Sequence, residues 1–129
     1  MRAILDFDEV VRLSPTNAGA LNRRCWARAI AGQLQEALTD CAESQRLRPN
    51  DAATLDRRGF TYLNLGQFDA ATAEYDATLK LAPKAATALY GRGIAKQKKG
   101  DGTAAASDIA MAKAARADIA EEFARYGVK

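Results

Sequence analysis

The chain has 129 residues, a hydrophobic fraction of 48%, a charged fraction of 27% and a formal net charge of +3. These values describe a single folded domain and exclude a disordered chain. The sequence contains 29 alanines and only 3 prolines. Because alanine is the strongest helix former and a poor strand former, the composition predicts an all-α fold.

Missing residue types exclude several chemistries. There is no histidine, which excludes serine–histidine and cysteine–histidine catalytic pairs and imidazole metal sites. Two cysteines are too few for a structural zinc site. No apolar run is long enough to span a membrane, and the N-terminus reaches Asp6 too soon for a secretory signal. We therefore expect a cytoplasmic protein that is not an enzyme and holds no metal or cofactor; an upstream segment of a longer protein is left open.

A period of 34 residues runs along the chain, as shown by Pro15, Pro49 and Pro83. Five further columns share this spacing: large apolar (Leu21, Leu55, Leu89, Phe123), small (Cys25, Gly59, Gly93, Gly127), glycine (Gly32, Gly66, Gly100), alanine (Ala3, Ala37, Ala71, Ala105) and mixed (Phe7, Cys41, Tyr75, Ile109). Agreement of so many columns at one fixed period indicates a solenoid of structural repeats.

Each period predicts two helices joined by a turn. In the second repeat Asn50 and Asp51 offer an N-cap, apolar residues follow at helical spacing, and Gly66 ends the first helix. A second apolar segment then runs to Pro83. We expect the small column to face the alanine column across each antiparallel pair, because small residues let two helix backbones approach closely.

These features resemble the tetratricopeptide repeat, a 34-residue helix–turn–helix unit. The second repeat shows them most fully, at Leu55, Gly59, Tyr62, Gly66, Ala71, Tyr75 and Pro83. The other repeats depart from the pattern, with Arg28 and Lys96 in place of Tyr62, and Cys41 and Ile109 in place of Tyr75. The resemblance implies a right-handed α-solenoid in which the first helix of each pair lines a concave binding surface.

The period divides a single domain of residues 1–129 into five segments. Residues 1–15 match a second helix only, complete repeats occupy 16–49, 50–83 and 84–117, and 118–129 match the start of a first helix. We expect the last segment to be a capping helix that covers the final apolar face. The first segment lacks its partner helix, which indicates either a longer parent protein or an exposed face, formed by Ile4, Phe7 and Val11, that meets a partner.

The resemblance places the candidate partner-binding residues on the concave face. They are Asn22, Trp26, Asp56, Phe60, Asn64, Tyr90, Ile94 and Lys98. Among them Trp26, Phe60 and Ile94 form an apolar row, one residue per repeat, each one position after the small column. Two interpretations stay open: the row is the floor of a binding groove, or it is core packed between neighbouring first helices.

Charged residues also follow the repeat. One column holds Arg24, Arg58 and Arg92, and another holds Asp40, Glu74 and Asp108, so we expect an arginine–carboxylate pair within each repeat. The remaining basic residues form a patch that would suit an acidic partner: Lys96, Lys98, Lys99, Arg23 and Arg57. Cys25 and Cys41 both occupy packing columns of one repeat, which favours buried reduced thiols, with a disulfide as the alternative.

The sequence therefore predicts a non-enzymatic protein–protein interaction module that binds a peptide or helix of a partner protein in the concave groove. The alternative is a structural module that forms homo-oligomers through the exposed face of its N-terminal helix. The modest net charge of +3 argues against a nucleic acid as the partner. The identity of the partner does not follow from the sequence.

Overall fold

The computed structural model describes residues 2–128, and these residues form eight α-helices. The helices are α1 Arg2–Leu13, α2 Ala18–Ile30, α3 Leu34–Leu47, α4 Ala52–Asn64, α5 Phe68–Leu81, α6 Ala86–Lys98, α7 Gly102–Ala115 and α8 Ile119–Arg125. The predicted right-handed α-solenoid is confirmed. Met1 and Lys129, the outer limits of the predicted domain, lie outside the described residues. Within the described range no helix has the length and apolar character needed to cross a membrane.

Local signals set the ends of the helices. The side chains of Asn17 and Asp51 accept hydrogen bonds from the backbone N–H groups of Ala20 and Ala53, at 3.0 and 3.2 Å. These bonds satisfy donors that the first turn of a helix leaves free. The turns after α2, α4 and α6 contain Gly32, Gly66 and Gly100, with φ angles of 85°, 76° and 89°. Glycine is favoured there because other residues are strained at positive φ.

The helices form two curved layers. The pairs α2–α3, α4–α5 and α6–α7 correspond to the three predicted repeats, and α1, the predicted lone second helix, contacts α2. The first helices α2, α4 and α6 contact one another, whereas the described parts of α1, α3, α5 and α7 make no comparable contacts among themselves. The layer of first helices is therefore the tighter, inner side of the curve, and it forms the concave face.

The two helices of each repeat pack most closely at the small column. A Cβ atom added at Gly59 would lie 2.8 Å from Cε1 of Tyr75, and one added at Gly93 would lie 2.7 Å from Cγ1 of Ile109. The small residue therefore faces the mixed column more closely than the alanine column, although the carbonyl oxygen of Ala105 also lies 3.3 Å from the Gly93 position. The glycines leave room for the large side chain of the opposite helix.

The first repeat makes this contact differently. Cys25 and Cys41 occupy the same two columns, and they form a disulfide with their Cα atoms 5.4 Å apart. Both residues are fully buried. The expectation of reduced thiols is therefore wrong, because the two columns face each other so closely that two sulfur atoms meet where the second repeat places a tyrosine ring against a glycine.

The predicted arginine–carboxylate pairs are confirmed. Arg24 donates two hydrogen bonds to Asp40, both at 2.8 Å, and Arg92 donates two to Asp108, both at 2.9 Å. The pair in the second repeat is looser, with 3.6 Å between Nε of Arg58 and Oε1 of Glu74. Carboxylates on the preceding second helices also bind two of these arginines: Asp8 binds Arg24 at 2.9 Å and Asp76 binds Arg92 at 2.8 Å. The pairs therefore connect neighbouring repeats as well as the two helices of one repeat.

Opening the disulfide should destabilise the protein. A cross-link that closes a loop of this length stabilises a fold by about 3 kcal/mol, chiefly by restricting the unfolded chain. We expect the Cys25→Ala, Cys41→Ala double variant to lose roughly that free energy of unfolding in urea, and to be insensitive to dithiothreitol. Two free thiols in the denatured, unreduced wild type would contradict the disulfide.

Candidate functional site

The apolar row of the concave face lies along the inner surfaces of the three first helices. The rings of Trp26 and Phe60 pack at 4.8 Å between centroids. Phe60 and Ile94 are buried, with 2% and 5% of their surfaces exposed, and they belong to the hydrophobic core. Trp26 is only partly buried at the edge of that core. The row thus runs from a covered end at Ile94 to an accessible end at Trp26.

The C-terminal segment covers the row. Helix α8 rests on α6 and α7, as a capping helix does, but its aromatic side chains reach further across the concave face. Phe123 packs on Tyr90 at 4.8 Å and on Phe60 at 5.9 Å between ring centroids. Tyr126 reaches Trp26, at 5.1 Å. Part of the predicted groove is therefore filled by the chain itself.

Gly127 lies after the end of the last helix. The sequence aligns it with Gly59 and Gly93 in the small column, in a pattern that matches the start of a first helix. In the structure α8 ends at Arg125, and Gly127 follows with a φ angle of 85°, which terminates the helix. The backbone turns there and carries Val128 to the wall of a small crevice beside Ile94.

The polar candidates lie around the row. Asn22 is buried, and its Oδ1 accepts a hydrogen bond from Nη1 of Arg57 at 3.0 Å. Asn64 is exposed, and its side chain donates to the backbone carbonyl of Phe60 at 2.9 Å. Tyr90 is partly buried beneath α8, and Lys98 is exposed beside the crevice at Val128. The structure thus brings all these residues to one face, but not into one open cleft.

Asp56 is the acidic residue in the crowded centre of this face. Its Oδ2 accepts a hydrogen bond from the hydroxyl of Thr87 at 2.7 Å, which joins α4 to α6. Burial raises the pKa of Asp56 from 3.8 to about 6, against the opposing effects of Thr87, Arg57 and Arg116. Glu122 of α8 raises it further. Helix α8 therefore brings the carboxylate of Glu122 near the carboxylate of Asp56, which burial already shields from water.

The open end of the concave face holds a cavity of about 490 Å³ between α1 and α2. Ile4 and Phe7 form one wall and Trp26 and Ile30 the other, and two arginines complete the lining, Arg23 and Arg57. The sequence places these arginines only in a general basic patch. Their position beside the row becomes visible only in the fold. In the sequence both lie two positions before the small column, where the third repeat has Gly91.

The predicted basic patch is smaller in the structure. Lys96 pairs with Asp108 at 2.9 Å, and Lys99 pairs with Asp69 at 2.5 Å. Among the described residues, Lys98, Arg23 and Arg57 make no such ion pair. No group of three acidic or cysteine side chains in residues 2–128 is placed to hold a metal ion.

Repeated helix pairs whose first helices line an inner face define a helical-repeat protein. A family model described as "Tetratricopeptide repeat" matches residues 57–121, which is half of the chain. The chain belongs to the tetratricopeptide repeat family. Members of this family are generally protein–protein interaction modules and typically non-enzymatic scaffolds. A search of curated protein sequences found no match.

Solved structures share the fold. MamA from Desulfovibrio magneticus RS-1 is 23% identical with a TM-score of 0.78, over 89% of this chain and 65% of that one. The thermophilic protein TTC0263 from Thermus thermophilus is 19% identical with a TM-score of 0.76, over 96% and 69%. The TPR domain of Arabidopsis OM64 is 18% identical with a TM-score of 0.76, over 85% and 91%. The chain spans just under two thirds of the MamA chain, and these similarities concern the fold.

Replacing Asp56 should change the pH dependence of stability. Folding raises the pKa of Asp56, so the folded protein favours the protonated carboxyl group. The stability that protonated Asp56 contributes is therefore fully present below about pH 4 and is lost as the pH rises through about 6. We expect Asp56→Asn, which keeps an acceptor for Thr87, to unfold in urea with roughly 1–2 kcal/mol more stability than wild type near pH 8, after allowance for partial exposure. The two proteins should converge near pH 4, and a constant difference would contradict this role of Asp56.

Proposed function

We propose that the chain is a non-enzymatic interaction module that binds a peptide or helix of a partner protein on its concave face. The observation that supports this most directly is the position of α8, since the concave face already accepts a helix. Phe123 and Tyr126 of that segment rest on Trp26, Phe60 and Tyr90. A surface that binds the apolar side of one helix has the shape and chemistry to bind another.

The partner is proposed to bind at the open end of the face. Phe60 and Ile94 are already covered, whereas Trp26 and Ile30 line the cavity beside α1. Tryptophan is among the residues that contribute most to binding energy at interfaces. The cavity walls are helices held by the ion pairs of Arg24 and Arg28 with Asp8. A pre-formed site of this kind loses little conformational entropy on binding.

Site-specific cross-linking tests this function. We expect a photoreactive benzoylphenylalanine in place of Ile30 to cross-link a partner in lysate of the source organism, because this residue is 40% exposed beside the cavity. The matched control is the same replacement at Lys80, an exposed residue of α5 on the outer layer. Equal cross-linking at both positions, with helicity by circular dichroism unchanged, would contradict a concave site.

A second function is favoured by the side of α1 that lies away from α2. The face predicted from the sequence, formed by Ile4, Phe7 and Val11, is not the exposed one, because Ile4 is only 5% exposed and lines the cavity with the partly buried Phe7. The large apolar side chains that are exposed on α1 are Leu5, Leu13 and Val10, at 62%, 69% and 40%. Several exposed apolar side chains on one helix indicate an interface more strongly than single exposed residues do. We propose that this face mediates association of two copies of the chain if the protein functions as a structural module.

Light scattering over a range of concentrations tests the second function. We expect wild type to associate as its concentration rises, and we expect Leu5→Glu with Leu13→Glu to stay monomeric, because charges would be buried at the contact. The control is Met111→Glu, since Met111 is 51% exposed but lies on α7. A wild type that is monomeric at every concentration removes this function.

A further inference from the structure

The cavity beside α1 has the form of a trough between two helices. The α2 residues that line it are Arg23, Trp26, Ala27 and Ile30, and the α1 residues are Ala3, Ile4 and Phe7. Residues spaced by three and four positions form a stripe along one side of a helix. Two such stripes, from α1 and α2, border the cavity. Amphipathic helices bind in apolar grooves that have borders of this kind.

The trough is large enough to receive large side chains of a ligand. Its volume is about 490 Å³, and pockets of about 300–1,000 Å³ bury most of the surface of a drug-sized group. The walls are chiefly apolar, and Trp26 and Ile30 are both partly accessible within it. A ligand that placed a large apolar side chain against these two residues would remove their remaining apolar surface from water.

The charge of the trough is unbalanced. None of its lining residues is acidic, and two are arginines. Elsewhere on the first helices Arg24, Arg28, Arg58 and Arg92 each lie within 4 Å of a carboxylate oxygen. Arg23 and Arg57 have no carboxylate at that distance among the described residues. Within residues 2–128, the lining therefore offers two guanidinium groups that have no carboxylate oxygen within 4 Å.

Arg57 is held in position at the edge of this trough. Its guanidinium lies 5.7 Å from the centre of the Trp26 ring and donates to Asn22 at 3.0 Å. Burial lowers the pKa of Arg57, the nearby charge of Arg23 lowers it further, and Asp56 and Asp51 act in the opposite direction. A guanidinium that is partly desolvated and near a like charge gains from a carboxylate that approaches both groups.

From this charge complementarity we propose that the trough between α1 and α2 docks an acidic amphipathic helix of a partner protein. A large apolar side chain of that helix packs against Trp26 and Ile30, and a carboxylate one turn away pairs with Arg57 and Arg23. The proposal rests on the proposed concave-face function and specifies the chemistry of its partner. Helix α8 has the same character within this chain, with Glu121 and Glu122 beside Phe123.

A library of helical peptides tests the proposal. The library fixes leucine at three positions along one side and randomises the flanking positions, and it is selected against the whole chain. Binding is followed by the fluorescence of Trp26, the single tryptophan. We expect glutamate and aspartate to be enriched at flanking positions. We also expect Arg57→Gln and Arg23→Gln each to weaken the selected peptides about tenfold, less at high salt.

Two variants serve as controls. Arg46→Gln removes one positive charge from the outer layer, where Arg46 is exposed and paired with Glu43, and should leave the affinity unchanged. Ile30→Glu removes the apolar contact of Ile30, places a carboxylate in the trough that repels an acidic helix, and should abolish binding. Circular dichroism and urea unfolding of each variant separate a lost contact from a lost fold.

The possible failures are distinguishable. Peptides that bind wild type and both arginine variants equally well, but do not bind Ile30→Glu, would overturn the acidic partner while leaving a concave interaction site. Failure to select any binder, or binding that Ile30→Glu does not affect, would overturn the site itself and with it the proposed position of the partner. Self-association that Ile30→Glu abolishes would assign the trough to a second copy of the chain and also overturn the proposal.

Discussion

The close approach of the two helices within each repeat is the constraint on which the rest of the structure depends. Gly59 and Gly93 leave space for Tyr75 and Ile109, and no side chain larger than hydrogen fits there without moving its neighbour. This contact sets how closely the two helices of a repeat approach. Because Trp26, Phe60 and Ile94 each lie one position after the small column, the same contact also positions the apolar row on the concave face.

The parts of the fold that could be predicted from the sequence are those that repeat. Helix pairs, turn glycines and the arginine–carboxylate pairs each occur several times, so one physical requirement is visible at several positions. The contact of Tyr126 with Trp26 could not be predicted in this way. The C-terminal segment occurs only once, so it shows no repeated pattern, and its position depends on packing against three helices. The disulfide could be given only as the alternative to reduced thiols, because the period places Cys25 and Cys41 in packing columns but does not show that their sulfur atoms meet.

Charge is distributed differently on the two sides of the first helices. The arginines that face the second helices are neutralised by carboxylates of the same or the preceding repeat. Arg23 and Arg57, which lie toward the inner surface, have no such partner among residues 2–128. Ion pairs therefore join helices on one side of the first helices, whereas the two arginines on the other side make no ion pair with the described residues. The net charge of +3 conceals this separation, because it sums over both sides.

The disulfide also has a mechanical consequence. The bond joins residues 16 positions apart within the first repeat, whereas Gly59–Tyr75 and Gly93–Ile109 are held only by packing. If a force pulled the two ends of the chain apart, the later repeats could extend fully. The segment between Cys25 and Cys41 could not extend, because the disulfide closes it into a loop, and the chain would be about 55 Å shorter than its full contour length. A translocase or protease that threads the chain through a narrow channel would meet this closed loop as two strands side by side. Only reduction of the disulfide would let the repeat pass as a single strand.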